Sequence, residues 1–135
     1  MNQIGSSPRF VAFIFGLSVT LQLFAATPTL TTPTASTFTT TSAVLGGNIT
    51  SDGGNTLTER GIVYALSSVN LAPQIGGTGV VKVADAMVAT GPFTLTVTGI
   101  NPTLGYSFAA YATNSTGTSY TPISNFALKA DSIAG

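Results

Sequence analysis

Ile100-Asn-Pro-Thr-Leu-Gly-Tyr-Ser-Phe-Ala-Ala-Tyr-Ala-Thr-Asn-Ser-Thr-Gly117 reads as a bend, a long strand and a tight turn. Ile100, Pro102 and Tyr106 form the pattern Ile-x-Pro-x-x-x-Tyr, which puts a tyrosine at the mouth of a strand just after a proline bend. In Greek-key sandwiches a tyrosine so placed turns its hydroxyl back to the backbone a few residues upstream and pins the crossover between sheets. Side chains alternate along a strand, so Tyr106, Phe108, Ala110 and Ala112 share one face and Ser107, Ala109, Tyr111 and Thr113 the other. Both faces are largely apolar, as in a central strand, and Asn114-Ser-Thr-Gly117 supplies turn chemistry.

Working back toward the N-terminus, Phe93 to Thr98 alternates cleanly, with Phe93, Leu95 and Val97 inward and three threonines outward. Val80 to Val88 reads as a strand closed by Ala89-Thr-Gly-Pro92, whereas Leu66 to Gly79, with Pro73 and three glycines, reads as a meandering loop or short edge strand, its Gly76-Gly-Thr-Gly79 stretch as a flexible edge. Leu57 to Ala65 places Arg60, Ile62 and Tyr64 opposite Glu59, Gly61 and Val63, so the adjacent Glu59 and Arg60 are not a pair. Ser42 to Thr50 turns Ala43, Leu45, Gly47 and Ile49 to one side. Its paired Gly46 and Gly47 leave a gap that signals a bulge or a close neighbour. Ser51 to Asn55 is a glycine turn. Thr118 to Leu128 closes the sheet as one last strand.

Residues 27–41 are rich in threonine and interrupted by Pro28 and Pro33. Proline cannot donate to a ladder, so this stretch reads as a linker running into an edge strand, the first of its own sandwich, with donation to a neighbouring subunit as the rarer option. Residues 1–26 have the form of an export signal: Arg9, an apolar run from Phe10, and small residues ending at Ala26 before Thr27-Pro28. The run contains Ser18, Thr20 and Gln22 and falls short of the roughly 20 apolar residues a span requires. Phe24 blurs the cut after Ala26, since a small residue is expected three positions ahead of it. The mature domain is expected not to insert into a membrane. Residues 129–135 read as a tail or the start of a linker.

About seven short strands, turn signals between them and no amphipathic helical period after the leader predict an all-β Greek-key sandwich spanning residues 42–128. The chain has 135 residues, and one domain of that size buries enough surface to stand without staples. Only 6% of residues are charged, against about 25% in ordinary domains, and the four basic and four acidic side chains cancel. No basic footprint for nucleic acid exists. The surface must therefore be solvated by hydroxyls and amides.

The chemical inventory is narrow. Without His or Cys there is no Ser-His-Asp or Cys-His nucleophile system, no disulfide frame and none of the usual zinc ligands. Asp52, Glu59, Asp85 and Asp131 are the only acid-base candidates, on separate elements, so no catalytic residues, metal or cofactor are assigned. Asp52-Gly-Gly-Asn55 offers one carboxylate where calcium wants several, and reads as turn chemistry. Gly76-Gly-Thr-Gly79 lacks the lysine and the helix of a phosphate loop. Asn48-Ile-Thr50 and Asn114-Ser-Thr116 match the N-glycosylation sequon, with a glycan awkward at Asn48 and tolerated at Asn114. Tyr111 and Tyr120 could present a platform for a sugar, though cross-strand packing is the commoner use of such rings.

Taken together, Ala43-Val-Leu-Gly-Gly-Asn-Ile-Thr-Ser-Asp-Gly-Gly54, Glu59-Arg-Gly-Ile-Val-Tyr64, Pro73 with Ile75-Gly76, the corner Ile100-x-Pro102-x-x-x-Tyr106 and Ala110-Tyr-Ala-Thr-Asn-Ser-Thr-Gly117 resemble a bacterial fibronectin type III-like module. The resemblance covers Leu30 to Leu128 and the Thr- and Gly-rich variety found in surface and secreted proteins. It implies an immunoglobulin-like sandwich and no enzyme activity. The loops after the second, fourth and sixth strands then gather at one end, as the binding candidates Asp52, Asn55, Thr90, Asn114, Ser115 and Thr116. An extracellular protein or a glycan would be the partner, and tandem modules the setting. The integrin-type Arg-Gly-Asp triplet is absent. The family often carries a core Trp on its second strand. Here there is none and Gly47 stands near the place, so Tyr64, Phe93, Tyr106 or Phe108 are expected to fill the volume.

Three function classes follow. The first is an exported, non-catalytic spacer or adhesive unit; the others are a carbohydrate- or polymer-binding module and a subunit that assembles by exchanging its N-terminal strand.

Overall fold

The computed structural model describes residues 24–128. The apolar run of the expected leader up to residue 23, and the tail 129–135, lie outside these residues. Eight strands are present: β1 (Thr29–Ser36), β2 (Ser42–Ser51), β3 (Glu59–Leu66), β4 (Val81–Ala84), β5 (Gly91–Thr98), β6 (Gly105–Thr113), β7 (Thr118–Tyr120) and β8 (Ser124–Ala127). They form two antiparallel sheets, β1-β2-β5 and β4-β3-β6-β7, with β8 also paired to β6. The expected all-β sandwich is the fold.

The alternation read from the sequence sets the layers. Ala43, Leu45 and Ile49 from one sheet meet Ile62, Tyr64, Phe108, Ala110 and Ala112 from the other in a single core. Phe93 and Val97 are buried with them, while Thr94, Thr96 and Thr98 are exposed. β1 pairs with β2 of its own chain, as the first strand of its own sandwich should, and its ladder shifts register between Thr31 and Thr34. Pro33 lies in that shift. Thr32 before it has φ +53°, an uncommon conformation for a β-branched residue.

The corner closes as its pattern implies. The Tyr106 hydroxyl accepts the N–H of Asn101 at 3.0 Å, Ile100 is buried, and the Ile100 N–H donates to Thr41. The Tyr106 ring is buried, stacked on Phe126 with centroids 5.2 Å apart and meeting Tyr64 edge-on.

Four expectations are corrected. The closing strand from Thr118 to Leu128 is two strands, because Pro122 has no N–H and interrupts the ladder. Thr121 bridges the break: its hydroxyl accepts the Ala110 N–H and its own N–H donates to the Ala110 carbonyl. The strand expected over Val80 to Val88 is only β4, since the chain leaves the sheet at Asp85 toward Arg60. The segment from Leu66 to Gly79 is the meandering loop expected, but its Gly76-Gly-Thr-Gly79 stretch is tied down, with the Thr78 carbonyl accepting from Asn70 and the Gly77 N–H donating to Gln74. Pro73 in the same loop is fully buried, the Ile75 N–H donates to the Tyr120 hydroxyl, and Val80 packs on the second apolar cluster, Val63, Ala109 and Tyr111.

Finally, no ring replaces the missing Trp at Gly47. The sheets close up instead: a Cβ placed on Gly47 would lie 2.5 Å from the Cβ of Ala110. Small residues on both sides remove the volume, so no cavity needs filling there.

Candidate functional site

The ladder registers bring three loops to one end of the sandwich. β2 ends at Ser51, β3 begins with Glu59 opposite Thr113 of β6, and Gly91 of β5 pairs with Ile49. The 51–56, 89–92 and 114–118 segments therefore share this end, as the resemblance implies.

Asn114 is its centre. The residue is 4% exposed, and its side-chain Nδ2 donates to the carbonyls of Ala26 and Asp52 at 2.7 and 2.8 Å. Its Oδ1 accepts the N–H groups of Thr116 and Gly117. An asparagine amide offers two donor hydrogens and two acceptor lone pairs, so this one is filled on every side. The expectation that Asn114 would tolerate a glycan is therefore corrected, because the nitrogen that would carry it is buried and fully engaged.

The other candidates are more open. The Asp52 carboxylate accepts the Gly54 N–H, an Asx-type turn, and Asn55 donates to the Thr116 hydroxyl at 3.1 Å across the two loops. Ser115, Thr116 and Thr90 are exposed. Asn114 thus belongs to the scaffold, while Asp52, Asn55, Thr116 and Ser115 form one polar rim. Thr90 stands apart on the third loop.

The residue that sequence reasoning missed at this end is Arg60. It faces inward beside Ile62, and its side chain is 6% exposed. Nε and Nη2 reach Oδ2 of Asp85, Nη1 donates to the Ala89 carbonyl, and the guanidinium lies 4.5 Å from the Phe93 ring centroid. One planar cation thereby fixes the β4–β5 loop to the end of the core. Burial alone would raise the Asp85 pKa, but the Met87 N–H and the hydrogen bond and charge of Arg60 together hold it below the usual carboxylate range. The available signal was an arginine at an inward position in a chain with so few cations.

On the opposite face of the same sheet Glu59 pairs with Lys82 at 3.0 Å in a solvent-exposed pair. Glu59 and Asp85 are each bound to a cation, and Asp52 to a turn. Among the described residues no three His, Cys, Asp or Glu side chains cluster as metal ligands. Tyr111 and Tyr120 do not make an exposed platform. Tyr111 is fully buried, the two face each other in register across β6 and β7, and the Tyr120 hydroxyl is taken by Ile75. The Tyr111 hydroxyl is buried with no hydrogen-bond partner among the described residues, and burial, then the Glu59 carboxylate, push its pKa well above the tyrosine range.

A separate shallow pocket of about 330 Å³ lies over β1, β2 and β5, lined by Thr32, Thr34, Gly47, Asn48, Pro92, Phe93 and Thr94. The three strands of this sheet carry no charged residue. Among the described residues no helix is long and apolar enough to cross a membrane.

No protein-family model matches the sequence, and no curated protein does. Solved structures do. The chain is similar to the sensor domain of the anti-sigma factor RsgI4 of Pseudobacteroides cellulosolvens, with TM-score 0.57 and 16% identity over 78% of this chain and 98% of that one. A structure described as a myokine gives TM-score 0.56 at 13% identity, covering 78% of this chain and 99% of the other. A multi-domain structure of titin gives 0.55 at 16% identity, and the chain spans about a third of its length, 32%. At such identities the likeness is one of fold: with the tyrosine corner and the two-sheet order, it gives this chain the immunoglobulin-like, fibronectin type III-like β-sandwich fold.

Proposed function

We propose that the chain is an exported, non-catalytic β-sandwich module acting as a spacer or adhesive unit of a surface or secreted protein. The observation that carries this reading is where the chain comes in and where it leaves. Ala26 is bonded at the Asn114 end, while Ala127 pairs with Gly105 at the far end of β6. The two points are separated by the length of a nine-residue strand, about 27 Å at ~3.3 Å per residue. Modules joined through such ends would line up head to tail, and pulling on them would load the ladders lengthwise. The described carboxylates, bound to cations and turns, and the titin domains and the sensor domain that share the fold support the same reading. The leader-like N-terminus supports export.

A carbohydrate-binding role is favoured by one feature, an uncharged and mainly apolar pocket floored by Pro92 and Phe93, in which Thr32, Thr34, Asn48 and Thr94 supply the polar groups. Cell fractionation of the full chain, followed by a glycan array with the exported protein, tests both. Export with a blank array is expected. Saturable binding to a glycan, lost on Asn48→Ala, would replace the spacer reading with the recognition reading, and retention inside the cell would refute export.

A further inference from the structure

We infer that the leader is removed at the Ala25–Ala26 peptide bond, one residue ahead of the boundary suggested by the small residues alone, so that Ala26 is the first residue of the mature module. The inference rests on the export reading above.

Ala26 is bonded on both sides by the sandwich. Its N–H donates to the Gly53 carbonyl at 2.8 Å, and its carbonyl accepts Nδ2 of Asn114 at 2.7 Å. Asn114 is the buried amide whose four hydrogen-bonding positions are all matched, and Ala26 supplies one of those partners. A cut after Ala26 would take it away and leave a buried N–H without an acceptor, the arrangement folded proteins avoid.

Gly53 carries the second, independent mark. Its φ is +76°, and a Cβ built there would lie 2.1 Å from the Ala26 carbonyl oxygen and 2.7 Å from that of Thr27. The backbone of Ala26 lies against the turn so closely that only glycine fits. Pro28, two residues on, is fully buried. The pattern stops abruptly on the other side: Phe24 is 81% exposed, and among the described residues no hydrogen bond reaches Phe24 or Ala25. The folded unit therefore begins at Ala26.

The chemistry is amide hydrolysis. Water adds its hydroxyl to the Ala25 carbonyl carbon, the bond from that carbon to the Ala26 nitrogen breaks, and the nitrogen leaves with the proton. The catalytic groups belong to an export peptidase that accepts a small residue on the acyl side, and Ala25 provides one; a large residue stands three positions ahead of either cut, Leu23 here and Phe24 for the later one, so it is the contacts of Ala26 that choose between the two bonds. The new α-amine, mostly protonated at neutral pH, keeps the hydrogen bond to Gly53 and strengthens it with charge.

The test is the N-terminal residue of the exported full-length gene product, read by intact mass and N-terminal sequencing. Ala26 is expected at position one. A start at Thr27, or at any residue before Ala26, overturns the inference and leaves the export reading standing. An exported protein that still begins at Met1 sinks the cleavable leader itself. Two variants read the bond directly and do not depend on folding. Ala25→Leu places a bulky side chain on the acyl side, and the uncut form should rise at least tenfold; Ala26→Leu, beyond the bond, should be processed as the wild type. The opposite pattern would assign the cut to the Ala26–Thr27 bond and refute the proposal.

Discussion

Replacing Arg60 by Met keeps most of the buried aliphatic volume and removes the planar cation. Three contacts go: the hydrogen-bonded ion pair with Asp85, the bond to the Ala89 carbonyl, and the guanidinium over Phe93. Hydrogen bonds to charged partners contribute about 1.5–3 kcal/mol, and a cation over a ring about 2 kcal/mol at a desolvated site such as this one. Two effects work against the loss. Relieving a buried charge of its desolvation returns part of it, and the Asp85 side chain, 15% exposed, can rehydrate and keeps the Met87 N–H. The net loss is about 2–3 kcal/mol at pH 7, which for a domain near 100 residues is a fall in Tm of roughly 8–15 °C.

The pH dependence fixes the cause. Asp85 has a folded pKa below its unfolded value, so its contribution is present above the unfolded pKa and is lost as pH falls through the folded one. Wild type should therefore lose this increment from about pH 4 downward, while Arg60→Met retains only the smaller part that the Met87 N–H supports. Urea unfolding of both proteins at pH 7 and pH 3, followed by fluorescence of the tyrosines, measures the difference. A gap at pH 7 that narrows at pH 3 is expected. Equal midpoints at pH 7, or a gap of the same size at pH 3, would refute the assignment of Arg60 as the latch.

Tyr106→Phe and Tyr111→Phe each delete one oxygen, with opposite expected outcomes. The first orphans the Asn101 N–H and should cost about 1–2 kcal/mol in chemical denaturation. The second removes an unpartnered buried hydroxyl and should be neutral or stabilising by up to about 1 kcal/mol. Gly47→Ala forces a methyl to within 2.5 Å of Ala110, and the sheets must part, lowering stability by about 1–3 kcal/mol. Coupling it with Ala110→Gly should recover part of that loss, as a double-mutant cycle would read. Asn114→Ala leaves the Thr116 and Gly117 N–H groups without the side chain that receives them. Hydrogen exchange should rise first in the 114–118 turn and at Ala26, ahead of the core strands.

The layers were legible because period-two alternation is a local property. Phe108 and Tyr111 were assigned to opposite faces by counting, and both counts hold. The corner was legible because Ile100, Pro102 and Tyr106 lie close in sequence and need only one another. What escaped was pairing at a distance. That Gly47 meets Ala110, that Arg60 meets Asp85 and that the loop carrying Pro73 reaches Tyr120 each join elements whose approach is set by the whole sandwich. Composition misled in one place: glycines at 76, 77 and 79 suggested looseness, yet the loop is tied through Ile75 to Tyr120 and through Asn70 to Thr78.

The scarcity of charge explains why the end bearing the loops is built as it is. Of the five charged side chains among the described residues, four form the Arg60–Asp85 and Lys82–Glu59 pairs. The fifth, Asp52, accepts a turn N–H. Arg60 ties down the 89–92 loop through Ala89, and with no ionic contact left for the 51–56 and 114–118 loops the chain uses amides and hydroxyls there. Asn114 joins two loops and the incoming segment, and Asn55 bonds Thr116 across the gap. Such bonds are neutral, so salt screening, which weakens exposed ion pairs, leaves them nearly untouched. An end secured this way keeps its geometry as ionic strength varies, and the incoming segment is itself part of what secures it. The loops and the N-terminal connection are therefore one mechanical unit, and strain applied at Ala26 is delivered first to the Asn114 amide and the Gly53 turn rather than to the β1–β2 ladder.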